Sequence, residues 1–149
     1  MGVTLGRKAI KGGTGWDIVI NGTGIYDLGA PIPYIDVFVA ISGGNYGLAG
    51  CFNDPSEYVC NGKTGYFPGE MIFGLGPYEV SEFLTNLNAN PILEAQHIFV
   101  MYSYADELIG FGCEVWGRIT CFIPRQEGYK AYYTYTHYDS KNKTFVAQY

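Results

Sequence analysis

Cys113-Glu114-Val115-Trp116-Gly117-Arg118-Ile119-Thr120-Cys121-Phe122-Ile123 is followed by a turn at Pro124 to Gly128 and then by Tyr129-Lys130-Ala131-Tyr132-Tyr133-Thr134-Tyr135-Thr136-His137-Tyr138. A second turn covers Asp139 to Lys143, and Thr144 to Tyr149 follows. In the first run one parity holds Cys113, Val115, Gly117, Ile119, Cys121 and Ile123. In the second, Tyr, Thr and Ala alternate without a helical period. Alternation among β-branched and aromatic residues marks strands with one buried face. The stretch therefore predicts a three-stranded antiparallel meander against which the rest of the chain packs.

Working outward, 149 residues suit one domain, able to bury roughly 70% of its unfolded surface. Charged residues make up 15%, below the usual ~25%, while aromatics reach 17% with 14 Tyr. A disordered chain shows the opposite balance. So few charges leave apolar area that must face water or a partner, and large apolar patches mark contact sites. The charge is also unevenly placed. Arg7, Lys8 and Lys11 give the first eleven residues +3; residues 12–117 carry −11; residues 118–149 carry +3. Either the basic ends fold back on the acidic middle of the same subunit, or they meet the middle of a neighbour. The acidic balance argues against nucleic acid. No run of 18 apolar residues predicts a membrane span, and the first residues lack the apolar core of a secretory signal.

Along the chain, the Gly-rich, basic residues 1–15 read as an arm, and residues 16–149 as a single β-rich domain. Short strands are expected at Trp16–Ile20, Ile25–Leu28 and Met71–Leu75. Tyr34 to Ile41 is apolar on both parities apart from Asp36, which predicts a central strand. Residues 45–70 read as a long loop or a hairpin with its tip at 53–57. Pro77 to Asn88 predicts a helix, since Val80, Phe83, Leu84 and Leu87 form one apolar stripe. A strand is favoured from His97 to Tyr104. The fold class expected is mainly β, at the margin of α+β: an antiparallel sandwich or barrel-like sheet with one helix packed on it.

Candidate chemistry is sparse. Ala40-Ile41-Ser42-Gly43-Gly44 resembles a nucleophile elbow, but that motif needs a helix next and Asn45-Tyr46-Gly47 does not start one. Glu79 and Glu82 read as a first turn matched to the helix dipole, not as a metal pair. Gly74-Leu75-Gly76 lacks the third glycine of a dinucleotide fingerprint. Asp106-Glu107 reads as a turn, and His137 as a half-buried ring in a strand. The four cysteines read as buried thiols, although Cys51 and Cys60 could meet across a turn. Cys113 and Cys121 could bond only if their strand folds at Trp116-Gly117. No catalytic residue, metal set or cofactor is assigned. An enzyme would require His97 or His137 with a carboxylate at hydrogen-bond reach.

The order of strands, one mid-chain helix and more strands, with a Gly-rich arm, resembles small self-assembling virion proteins such as phage tail-tube, joining or decoration proteins. The resemblance implies a non-catalytic structural subunit found in the virion or in the host cytoplasm during assembly. Its partners would be copies of itself and other particle proteins. Arg7, Lys8, Lys11, Trp116, Tyr132, Tyr133, Tyr135 and Tyr138 are the expected interface. The alternative is a carbohydrate- or small-ligand-binding module that uses Trp116 and surface tyrosines as its platform.

Overall fold

The computed structural model describes residues 1–17, 24–52, 54, 56–73 and 75–142. The chain opens on a helix, α1 (Gly2–Lys11), where an arm was expected. Its buried residues are Thr4, Arg7 and Lys11, spaced three and four apart on one face. The stripe is polar, which is why a search for apolar periodicity passes over it. Gly12 ends the helix at φ 63°, and its N–H bonds Lys8 O. A Cβ there would lie 2.5 Å from Gly29 O, so only glycine lets the following chain pass. The strands β1 (Thr14–Asp17) and β2 (Gly24–Asp27) then form an antiparallel hairpin. Residues 18–23, part of the strand and turn expected there, lie outside the described residues.

The structure departs most from expectation in its main sheet. Strand β3 (Val37–Ile41) leads into a long excursion, residues 42–69, with two 3₁₀ turns joined by the Cys51–Cys60 disulfide. A small antiparallel hairpin follows, β4 (Glu70–Ile72) and β5 (Gly76–Tyr78), and then helix α2 (Glu82–Ala89). Next come β6 (His97–Ser103), the two-residue strands β7 (Glu114–Val115) and β8 (Arg118–Ile119), β9 (Gly128–Tyr132) and helix α3 (His137–Asn142). The sheet order is β3-β6-β9, and both pairings are parallel. The fold is thus roughly α+β, with small mixed sheets and three helices among the described residues. It is neither clearly a sandwich nor a closed barrel. The seven-residue β6, with Ile98, Val100 and Tyr102 turned into the core, is the central strand, and β3 is an edge.

The predicted meander fails for a local reason. Trp116 and Gly117 adopt φ 54° and 74°, which turns the first run back on itself as the β7–β8 hairpin. That fold brings Cys113 and Cys121 to a Cα separation of 5.8 Å and joins them in a disulfide. Both cysteine pairs are therefore bonded, not free thiols as expected. The second run pairs only through Tyr132, and His137 opens a helix instead of sitting in a strand. The third expected strand lies outside the described residues. Helix α2 begins five residues later than predicted. Pro77 sits in β5, whereas Ser81 caps the helix, its hydroxyl accepting from Leu84 N at 3.3 Å. The apolar stripe holds, with Leu84 and Leu87 buried.

Candidate functional site

Parallel strands send their carboxyl ends to the same side. Ser103 pairs with Tyr132 in register, and Tyr104 N donates to Tyr132 O at 2.8 Å, so the loops after β6 and β9 leave together. Asp106 lies three residues past β6, and His137 five residues past β9. They meet: His137 Nδ1 stands 2.9 Å from Asp106 Oδ2. The Asp106 side chain is fully buried and that of His137 is 24% exposed. The other carboxylate oxygen, Oδ1, accepts from the backbone N–H of Leu108 at 3.1 Å and of Ile109 at 2.9 Å. These bonds hold the carboxylate still. The backbone N–H of His137 donates to Glu107 Oε2 at 2.9 Å, which seats the start of α3 on the same loop.

In the neutral ring the carboxylate selects the tautomer. A carboxylate only accepts, so the shared hydrogen sits on Nδ1, and Nε2 keeps its lone pair. An imidazole held in this way can take a proton from a nucleophile, and the buried carboxylate stabilises the cation that forms. The other histidine–carboxylate pair does not match this arrangement. His97 Nδ1 lies 3.1 Å from Glu127 Oε1, but both side chains are about half exposed, and the pair is at the amino end of β6. An exposed pair of that kind contributes little.

The N-terminus of α1 faces the same region. Burial lowers the Met1 amine below its ordinary value, and the nearby Asp106 carboxylate partly opposes the shift. Met1 O accepts from Leu5 N and from Thr4 Oγ1. The first turn of α1 rests on the end of β3. A Cβ on Gly43 would come within 2.7 Å of Val3 Cγ1, so Gly43 allows this contact. Beside it, Ser42 has φ 49° and a buried Oγ without a hydrogen-bond partner. Ser42 is followed by no helix, and none of the described serines is hydrogen-bonded to His137.

Of the residues expected at an interface, four tyrosines gather around the acid–base pair. Tyr133 stacks on Tyr104 at 5.2 Å, Tyr132 on Tyr135 at 5.2 Å, and Tyr138, exposed, follows His137 directly. Below them Tyr102 is buried, which pushes its phenol well above the usual tyrosine range, with Tyr104 adding to the effect. Trp116 instead stacks on Phe52 at 4.4 Å and donates to Gly69 O at 2.8 Å. The α1 cations lie elsewhere and are used within the subunit. Arg7 and Lys11 are buried against Glu94, and Lys8 donates to Gly12 O and Thr14 O. A cavity of about 860 Å³ opens between α1 and α2, touching Met1, Leu5, Tyr66 and Phe83, and neither Asp106 nor His137 lines it.

A residue-by-residue reading of the sequence names His137 as one of two histidines an enzyme would need, but it does not find the carboxylate. Asp106 and His137 are 31 positions apart, with no fixed motif between them. The one available signal is that Asp106 follows a predicted strand by two residues and His137 lies near the end of another, and it becomes informative only once those strands are known to be parallel.

A family model described as "Lipase (class 2)" matches residues 1–149. Neither the curated proteins nor the solved structures yield a match. The family match overturns the expectation of a non-catalytic virion or phage-tail subunit, together with its ligand-binding alternative and the absence of enzymatic activity. Scarce charge and abundant tyrosine indicated an apolar exterior, and composition does not distinguish what such an exterior touches. With its full described length matched, the chain belongs to the class 2 lipase family.

Proposed function

We propose that the protein hydrolyses lipid esters, with His137 as general base and Asp106 as the carboxylate that orients it. The observation that carries this is the buried Asp106–His137 contact at the carboxyl ends of β6 and β9. Hydrolases built on parallel sheets carry nucleophile, acid and histidine in that chain order, and present the nucleophile where a strand turns into a helix. Helix α1 precedes both residues in sequence. The nucleophile in this reading is a hydroxyl brought within reach of His137 Nε2 as the ester binds. His137 Nε2 takes the hydroxyl proton as the oxygen attacks the ester carbonyl. The same proton passes to the departing alcohol, and water releases the acyl group by the reverse sequence. The two disulfides favour an oxidising compartment.

The test is labelling of the native protein with a fluorophosphonate probe, followed by peptide mapping and assay on a water-soluble short-chain ester. The label should fall on one hydroxyl residue and be lost in His137→Ala, and Asp106→Asn should lower turnover by about 10⁴-fold while leaving the fold intact. Unchanged turnover in His137→Ala would refute the assignment itself.

A further inference from the structure

The β4–β5 hairpin presents an uncharged apolar surface that nothing in the fold uses. Phe73 is 102% exposed and Leu75 83%, and Met71, Ile72 and Tyr78 are exposed as well. A hairpin of two three-residue strands gains little from displaying these side chains to water. Residues 71–78 contain no charged side chain, whereas Glu70 and Glu79, both exposed, flank the base. The hairpin follows the excursion after β3 and precedes α2. It is tied to the chain that follows Asp106. Trp116 Nε1 donates to Gly69 O at the hairpin base. The segment leading from Asp106 to Trp116 carries two more exposed apolar residues, Leu108 and Phe111.

We propose that this hairpin is the protein's anchor in an uncharged or zwitterionic lipid–water interface, with Phe73 and Leu75 entering the apolar layer. The inference rests on the lipid-ester reading above, since a substrate gathered at an interface must be met there. Charge selects the occupant. The glutamate collar and the overall net charge of −5 oppose anionic headgroups, so apolar insertion is the attraction and basic steering is not. An anchor bonded through Gly69 to Trp116, ten residues past Asp106, keeps the acid–base pair close to the layer.

Sedimentation with phosphatidylcholine vesicles tests this, with the chain at several lipid concentrations and with or without phosphatidylserine. Wild type should bind, and added phosphatidylserine should not strengthen binding. Phe73→Asp/Leu75→Asp should lower partitioning at least ~10-fold, because each side chain contributes roughly tenfold or more when buried. Phe73→Ser/Leu75→Ser, which adds no charge, should do the same. Absence of wild-type binding, or equal binding by both variants, overturns the proposal. So does a wild-type dimer that the variants dissolve, since the occupant would then be a second copy. The hairpin variants should keep their turnover of a water-soluble ester, and His137→Ala should keep its vesicle binding. Failure of the anchor and failure of the catalytic assignment are therefore separately visible.

Discussion

Replacing Glu94 with Gln removes the single negative charge from a buried cluster that positions α1. Arg7 Nε lies 2.6 Å and Lys11 Nζ 3.2 Å from the same oxygen, Glu94 Oε1. Side-chain exposure is 1% for Arg7, 3% for Lys11 and 1% for Glu94, so solvent screens little of the interaction. Arg7 Nη1 also donates to Asn45 Oδ1 at 2.9 Å and to Asn88 Oδ1 at 3.0 Å, and these bonds survive the substitution. What remains is two buried cations without a counter-charge, a defect that costs about 3–5 kcal/mol. At this chain length, that corresponds to a fall in Tm of roughly 6–20 °C. The loss should also depend on pH. Burial already holds the Lys11 amine below the ordinary lysine value of 10.5, with Glu94 opposing that shift. Without Glu94 the amine falls further, so the unfolded state binds more protons across the interval up to 10.5. Stability of the variant therefore rises with pH through that interval, and the gap from wild type narrows. Thermal melts followed by circular dichroism at neutral and alkaline pH measure both effects. A loss below about 1 kcal/mol, or a gap that widens with pH, would refute this account of the cluster.

Two further substitutions probe the elements around that cluster. Cys51→Ser/Cys60→Ser opens a short covalent loop and should cost about 2–3 kcal/mol, read as a lower urea midpoint; reductant, which also opens Cys113–Cys121, should lower the wild-type midpoint further. Ser81→Ala removes both the α2 cap and the bond from Ser81 Oγ to Gly65 O at 2.8 Å. A loss of about 1–2 kcal/mol is expected, with faster amide exchange in the first turn of α2; unchanged exchange at Leu84 would sink that reading.

The parts of the fold legible in sequence were those whose pattern is local and apolar. The stripe Phe83, Leu84, Leu87 gave α2, and the β-branched and aromatic run from His97 gave β6, which the structure places at His97–Ser103. Alternation at Tyr129–Tyr132 marked a strand correctly but carries no information on direction, so the strand was paired with the antiparallel run 113–123 and not with its parallel partner 29 residues upstream in register. The polar stripe of α1 was invisible because its burial is supported by ion pairing with Glu94, a residue 87 positions from Arg7. The candidate site was hidden by the same non-local character. Asp106 in a turn and a tyrosine-flanked His137 each have ordinary local explanations, and only the parallel register of β6 and β9 joins them.

Gly43 sets the gap between the end of β3 and the first turn of α1, with room for no more than a hydrogen on its Cα. It acts as a spacer whose thickness is that of bare backbone. Even one added methyl group would wedge the helix away from the sheet, and the displacement would be felt first at the end of α1 that faces Asp106. A residue with no functional group of its own thereby controls the alignment of the groups that have them.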